Sequence, residues 1–293
     1  IYPAVSIAKR FHAEVIYEVH DLWPLSPMEL GHMSAHHPFI MVMQHAENKC
    51  CRSADAIVSL LPCSKEHFVE HGMAPEKFYC IPNGIVKADW EKPLPEHPVY
   101  EQQLKRWHEE GWFLIAYTGA HGVANALDSF VEAGEKLKGK KIKLLLIGPG
   151  PERERLKKKA ASLENVDLLE PVGRTQVPEL LAQMDALYVG LQRQPLFRFG
   201  ISPNKLMDYM MAGKPVIFAI EAGNDMVAEA GCGISVPPED STAIADAAEK
   251  LAVTPKEELA AMGARGHAYI LKYHEYDALA KQFLDVMQEH LKK

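Results

Sequence analysis

The sequence predicts an α/β fold of open, parallel-sheet domains with crossover helices, on three observations. Short apolar runs rich in β-branched residues alternate with longer segments of helical period. Several of those runs end in glycine-bearing turns that lead into the next helical segment. The 293 residues, 47% hydrophobic and 24% charged, suit about two soluble domains and exclude disordered, collagen-like and disulfide-framework classes.

Taken in order, the first part carries strands at 14–19, 56–60 and 78–81 with helices between and after them. The stretch 86–99, with Pro93, Pro95 and Pro98 among charges, reads as an interdomain linker, and 101–112 as a polar helix. A more regular series follows. Residues 113–118 (FLIAYT) read as a strand, and 125–137 as a helix with Leu127, Phe130, Val131 and Leu137 at helical spacing. Strands at 142–147, 166–169, 186–191 and 216–220 then alternate with helices at 152–163, 177–184, 203–211 and 243–251. The domains predicted are 1–84, a linker and connecting helix at 85–112, a second domain at 113–272, and a C-terminal helix at 273–293 packing back toward the first.

A formal charge of −7, from 32 basic and 39 acidic side chains, offers no general attraction to nucleic acid, so any phosphate must be held locally. Five cysteines, with Cys50 and Cys51 adjacent, leave one over in any pairing and point to a reducing compartment. None has zinc-type spacing, and the histidines, including the pair His36-His37, show no metal spacing. The longest apolar run, 39–43, is far short of the ~20 residues of a membrane span. The chain opens on Ile1-Tyr2-Pro3, with no initiator Met and no signal peptide, so these residues need not be the natural beginning.

Five motifs carry chemistry. Gly119 and Gly122 flank Ala120-His121 between a strand and a helix, where bare N–H groups can face an anion; strand–glycine–helix turns are as often scaffolding. Gly148 and Gly150 end the next strand, but Arg153 occupies the third position of a dinucleotide fingerprint, which argues against a nicotinamide or flavin site. Gly173-Arg174 lie in a loop where backbone groups can read a base edge and Arg174 can reach phosphate or remain solvated. In the fourth, Ser202 suits the N-cap, Pro203 the first helical position and Gly213 the residue past the end of a short helix. The amides near Asn204 and Lys205, the helix dipole and the Lys205 ammonium suit a diphosphate, with Asp208 one turn on for ribose hydroxyls; a local Lys205–Asp208 pair is the bland alternative. Last, His20-Asp21 leave a strand into a Pro-interrupted loop, where either can meet a substrate hydroxyl or serve structure.

In this order the motifs resemble the GT-B glycosyltransferases of the large retaining group called family 4. His20-Asp21 is similar to that family's histidine at a first-domain strand end, Ala54-Asp55-Ala56-Ile57-Val58 to its "AD-x-I/V" strand, and Ile81-Pro82-Asn83-Gly84-Ile85 to its hinge. The Gly119, Gly148 and Gly173-Arg174 loops and the segment Met211-Ala212-Gly213-Lys214-Pro215-Val216 follow in the family's sequence. The runs "DLWP" and "SPNK" further resemble the branch that makes bacterial surface polysaccharides with aminosugars. Two departures stand out. Gly200 falls where the family carries the first of two glutamates eight apart, Asp208 matching the second, and Ala120-His121 and Asn125 stand where many members carry Arg and Lys. The diphosphate charge would then rest on Lys205, with Arg174, Arg193 or Arg198 as helpers.

The resemblance implies two Rossmann-like domains with a cleft between them, residues 113–272 holding a nucleotide diphosphate sugar such as a UDP-sugar. It implies transfer of a hexose or N-acetylated aminosugar, with retention, to a saccharide or lipid-linked saccharide acceptor, needing no metal or other cofactor. His20, Asp21 and Lys205 take the catalytic roles in that reading. Gly119, His121, Gly122, Gly148, Gly150, Gly173, Arg174, Ser202, Pro203, Asn204, Lys205 and Asp208 bind donor. The setting is cytoplasmic, at the inner membrane face for a lipid-linked acceptor, with peripheral membrane contact and no nucleic acid partner. Against the family the first domain is short by roughly a hundred residues, and so expected to be N-terminally truncated. A nucleotide-sugar 2-epimerase and a non-catalytic nucleotide-sugar-binding fragment are the competing readings.

Overall fold

The computed structural model describes residues 1–92 and 99–291; of the expected linker, 93–98 lie outside the described residues. The chain first forms α1 (Tyr2–Phe11), β1 (Ile16–Val19), α2 (Leu25–Glu29), α3 (Pro38–Ser53), β2 (Ala56–Ser59), α4 (Lys65–Glu70) and β3 (Phe78–Cys80). The three strands pair in parallel in the order β1-β2-β3. β2, the middle strand, is buried at every residue, as its unbroken Ala56-Ile57-Val58 run requires.

After α5 (Glu101–Glu109) come β4 (Phe113–Thr118), α6 (Leu127–Lys136), β5 (Ile142–Ile147), α7 (Arg153–Ala160), β6 (Val166–Leu169) and α8 (Val177–Ala182). Then follow β7 (Ala186–Gly190), α9 (Asn204–Met211), β8 (Val216–Ala219), α10 (Met226–Ala230), β9 (Gly233–Ser235), α11 (Ser241–Val253), α12 (Lys256–Tyr273) and α13 (Tyr276–Leu291). The six strands are all parallel, in the order β6-β5-β4-β7-β8-β9. This is the doubly wound, Rossmann-like α/β arrangement that the alternation predicts. Both faces are covered. Along β4, Leu114 and Ala116 enter one core with Leu145, Leu187 and Met207, while Ile115 and Tyr117 enter the other with Phe130, Leu144 and Tyr188.

The two sheets are joined at the hinge. The Ile85 N–H donates to the His274 carbonyl at 2.8 Å and the Tyr276 N–H to the Ile85 carbonyl at 3.0 Å. A Cβ on Gly84 would stand 2.5 Å from the His274 oxygen, so this close crossing demands glycine. Beyond it, α13 lays Leu279 and Val286 against Ala56, Val58 and Ile81 of the first sheet.

Several expectations are corrected. The helix placed at 125–137 begins at Leu127, because Val123–Asn125 form a 3-10 turn and Ala126 takes a left-handed φ of 47°. The helix placed at 243–251 runs Ser241–Val253, capped by the Asp240 carboxylate, which accepts the Thr242 and Ala243 amides. β9, α10 and α12 had no signal. β9 is three residues led by glycine, and α12 carries Gly263 and Gly266 where close packing, not helix propensity, sets the residue.

Candidate functional site

The strand order turns back on itself between β4 and β7, and the loops leaving their carboxyl ends meet the start of α9. In open α/β sheets this crevice is where ligands bind. Lys205, the second residue of α9, is partly buried and extends to this edge, where its ammonium donates to the Tyr117 hydroxyl at 2.6 Å and to Asn125 Oδ1 at 2.8 Å. It also lies 4.3 Å over the Tyr117 ring. A Cβ on Gly119 would sit 3.5 Å from the ammonium, so this loop and the charge are in contact. Burial pushes the Lys205 pKa down to about 8. Both acceptors are neutral, and no carboxylate among the described residues pairs with this cation.

The local Lys205–Asp208 pair therefore does not form. Asp208, 5% exposed, instead accepts both ends of the Arg174 guanidinium at 2.5 and 2.9 Å. Burial raises its carboxyl pKa and Arg174 opposes the rise. Arg174 and Asp208 line a hollow together with Asn204, Asp89, Trp90 and Tyr276. Arg193 and Arg198, considered as helpers for the phosphate, are engaged elsewhere: Arg193 with Glu221, and Arg198 with Glu29 of the first domain at 2.8 and 2.9 Å.

Ser202 is not the cap of α9. Pro203 has an extended ψ of 124° and delays the helix to Asn204, while the Ser202 hydroxyl accepts the Asn83 N–H at 2.9 Å. The Asn83 side-chain amide donates in turn to the Ser202 carbonyl at 2.7 Å, pinning the entrance of α9 to the hinge. The first helical bond, Leu206 N–H to the Pro203 carbonyl, leaves the Asn204 and Lys205 amides at the open end of the helix. Gly213, at φ 65°, follows the C-cap Ala212 as expected. A second hollow opens between the domains, lined by His20, Asp21, Asn83, Phe197, Ser202 and Pro203. His20 and Asp21 are exposed at its mouth, and His20 Nε2 lies 3.0 Å from Glu18.

The glycine loops pack against each other. A Cβ on Gly148 would stand 2.1 Å from the Gly119 oxygen, and one on Gly150 2.5 Å from the His121 nitrogen, so both glycines are required by the neighbouring loop. The His121 ring, expected to face a ligand, is fully buried instead, with no partner for either ring nitrogen among the described residues. Burial, then the charges of Arg153 and Lys205, push its pKa down to about 4. The Gly173 N–H, expected to be free for a base edge, donates to Gln176 Oε1 at 2.9 Å. Gly122 is unconfined, its nearest neighbour being Asn125 Nδ2.

Residues 113–253, the span of this sheet and of helices α6 to α11, match the family described as Glycosyl transferases group 1. Over that span the chain is similar in sequence to a group 1 glycosyltransferase domain. The whole fold is similar to solved GT-B glycosyltransferases. Anabaena HepE in complex with UDP and glucose superposes with a TM-score of 0.69 at 16% identity, over 97% of this chain and 74% of that one. Sucrose-phosphate synthase of Thermosynechococcus elongatus gives 0.72 at 16%, over 98% and 70%. WaaG, a glycosyltransferase involved in lipopolysaccharide biosynthesis, gives 0.67 at 18%, over 95% and 79%. Comparison with curated protein sequences found no match.

Within and beside this second domain, the sequence reading missed Tyr117 and Asn125 as partners of Lys205, and Asp89, Trp90 and Tyr276 as walls. Tyr117 had a signal, since it ends a strand just before the first glycine loop. Tyr276 had none, because only the chain reversal at His274 brings it to Asp208's side of the domain. No helix among the described residues is long and apolar enough to cross a membrane.

Proposed function

We propose that the chain transfers a hexose or N-acetylated aminosugar from a nucleotide diphosphate sugar to a saccharide or lipid-linked saccharide acceptor, with retention, in the cytoplasmic synthesis of surface polysaccharide. The observation that carries this reading is the partly buried Lys205 ammonium, held only by neutral oxygens beside the open end of α9. A desolvated cation without an anion is a receptor for one, and the N–H groups and dipole of α9 add to its field. As the sugar–phosphate bond breaks, the leaving diphosphate gains negative charge. Groups already aimed at that charge stabilise the transition state more than the ground state.

Asp208 and Arg174 then meet the nucleoside, with Trp90 and Tyr276 as the aromatic walls of its hollow. His20 and Asp21 face the sugar or acceptor from the first domain across the interdomain hollow. UDP is the nucleotide this reading favours, since HepE was solved with UDP and with UDP-glucose. The test is calorimetry with a panel of nucleotide sugars on the wild type and Lys205→Ala. Loss of one charge-assisted phosphate contact, about 1.5–3 kcal/mol, weakens donor binding roughly 10–100-fold. Equal donor affinity and turnover in the two proteins would overturn the assignment. Product analysis with and without acceptor separates transfer from 2-epimerisation, which needs none.

A further inference from the structure

Outside the donor site, Glu47 of α3, His67 of α4 and His71 at the end of α4 converge behind the loop that walls the interdomain hollow. His67 and His71 stand four apart, so one turn of helix puts both imidazoles on the same face. Packing of α4 against α3 then brings them to a carboxylate 20 residues earlier, a relation that spacing among the histidines alone did not reveal. Glu47 is 4% exposed and His67 5%. His67 Nε2 lies 2.7 Å from Glu47 Oε1, and His71 Nε2 lies 3.7 Å from Glu47 Oε2.

We propose that Glu47, His67 and His71 form a zinc site that ties α3 to α4. Two imidazoles and a carboxylate are the nitrogen and oxygen donors that Zn²⁺ takes, with water as fourth ligand. His71 and Glu47 are already oriented as ligands, whereas His67 Nε2, 2.7 Å from a carboxylate oxygen that can only accept, carries the hydrogen in the metal-free protein and releases it when the ion binds. His71 Nδ1 lies 2.7 Å from the His67 carbonyl, which can only accept, so the hydrogen sits on Nδ1 and leaves the Nε2 lone pair toward Glu47. Gln44 Nε2 donates to Glu47 Oε2 at 2.7 Å, fixing the carboxylate. Ligands about 2.0–2.1 Å from a tetrahedral ion stand about 3.3 Å apart. One donor atom from each of the three residues now lies within 4.8 Å of the others, so the 2.7 Å pair must open and the carboxylate turn until one of its oxygens faces both imidazoles, a change of side-chain rotation.

His71, whose side chain is 22% exposed, gives the ion and its water a route from solvent. The expected role is structural. The His67 ring packs edge-on against Phe199 at 5.4 Å between centroids, and Phe199 closes the 3-10 turn Pro195–Phe199 whose Leu196 and Phe197 line the interdomain hollow. An ion on His67 therefore stiffens that wall without touching Lys205 or Asp208. This proposal stands apart from the assignment of the donor.

The test is titration of Zn²⁺ alone into chelator-treated full chain, followed by calorimetry and thermal unfolding. Wild type should bind one equivalent saturably and gain thermal stability. His71→Ala, at a partly exposed position, should weaken binding by no less than the roughly 10–100-fold that loss of an outer-shell partner costs, as should Glu47→Gln. The double variant His36→Ala/His37→Ala should bind as wild type. Absence of saturable binding in the wild type, which needs no variant to fold, overturns the proposal. So does one-equivalent binding that His71→Ala leaves unchanged or that the His36/His37 variant removes.

Discussion

The Lys205 ammonium donates to the Tyr117 hydroxyl at 2.6 Å, joining the first turn of α9 to the carboxyl end of β4, 88 residues earlier. Because its partners are neutral and it is partly buried, desolvation lets the lysine give up its proton at about pH 8, well below a free lysine.

That sets the pH dependence of donor binding. A diphosphate binds the protonated form and raises the Lys205 pKa, so affinity is flat below about pH 8 and falls above it by up to roughly tenfold per pH unit. Calorimetry in buffers of different ionisation enthalpy should show proton uptake on binding that grows through this range. Lys205→Arg, which keeps its charge, should flatten the profile. A profile for wild type that stays level to pH 10 would place the diphosphate elsewhere.

Arg174 and Asp208 give a second prediction. Arg174→Ala removes both charged donors from a carboxylate that is 5% exposed. The guanidinium is itself largely in solvent, so the cost is discounted to about 1–2 kcal/mol. Adding Asp208→Asn removes the charge that needed the arginine and should restore most of the lost stability. Chemical denaturation of the two single variants and the double gives the coupling directly. If the double variant is as unstable as the sum of the singles, the pair contributes nothing to folding.

The fold was legible because β4, β5, β7 and β8 are buried on both faces and so read as nearly continuous apolar runs, with Lys143 of β5 the charged exception, paired to Asp167. Lys205, Asn204 and Asp208 were legible because they sit on one short helix bounded by proline and glycine. What the sequence hid are contacts between distant segments. Asn125 reaches Lys205 across 80 residues, Asn83 reaches Ser202 across 119, and His67 reaches Glu47 across 20 in a direction set by packing. His121 misled for a related reason: a residue in a glycine loop is displayed only if the next loop leaves it room, and the 148–150 loop covers this one.

The end of α9 is fixed by a backbone contact. A Cβ on Gly263 of α12 would stand 1.8 Å from the Gly213 oxygen, where no flexible side chain can yield. Gly263→Ala gains about 1 kcal/mol of helix propensity but forces the helices apart, at an overpacking cost of about 1–3 kcal/mol or more. A lower urea midpoint with an unchanged slope is the expected result. A stabilised variant would mean that α12 does not hold α9 from behind.

His121 supplies the last prediction. In the unfolded chain an imidazole takes up a proton near pH 6.5, whereas burial holds the folded ring neutral down to about 4. Above pH 6.5 the ring is neutral in both states and costs nothing. As pH falls from 6.5 toward 4 the unfolded state binds the proton first, so stability declines, by about 3 kcal/mol once both states are protonated. Neither ring nitrogen has a partner among the described residues, so His121→Phe breaks no hydrogen bond and removes the penalty for burying two polar atoms. The variant should match or exceed wild type at pH 7.5 and lose less stability than wild type down to pH 4.5, measured as urea midpoints across that range. Parallel pH profiles for the two proteins would show that the ring takes up its proton equally in the folded and unfolded chain, so that burial does not hold it neutral, and would overturn the prediction.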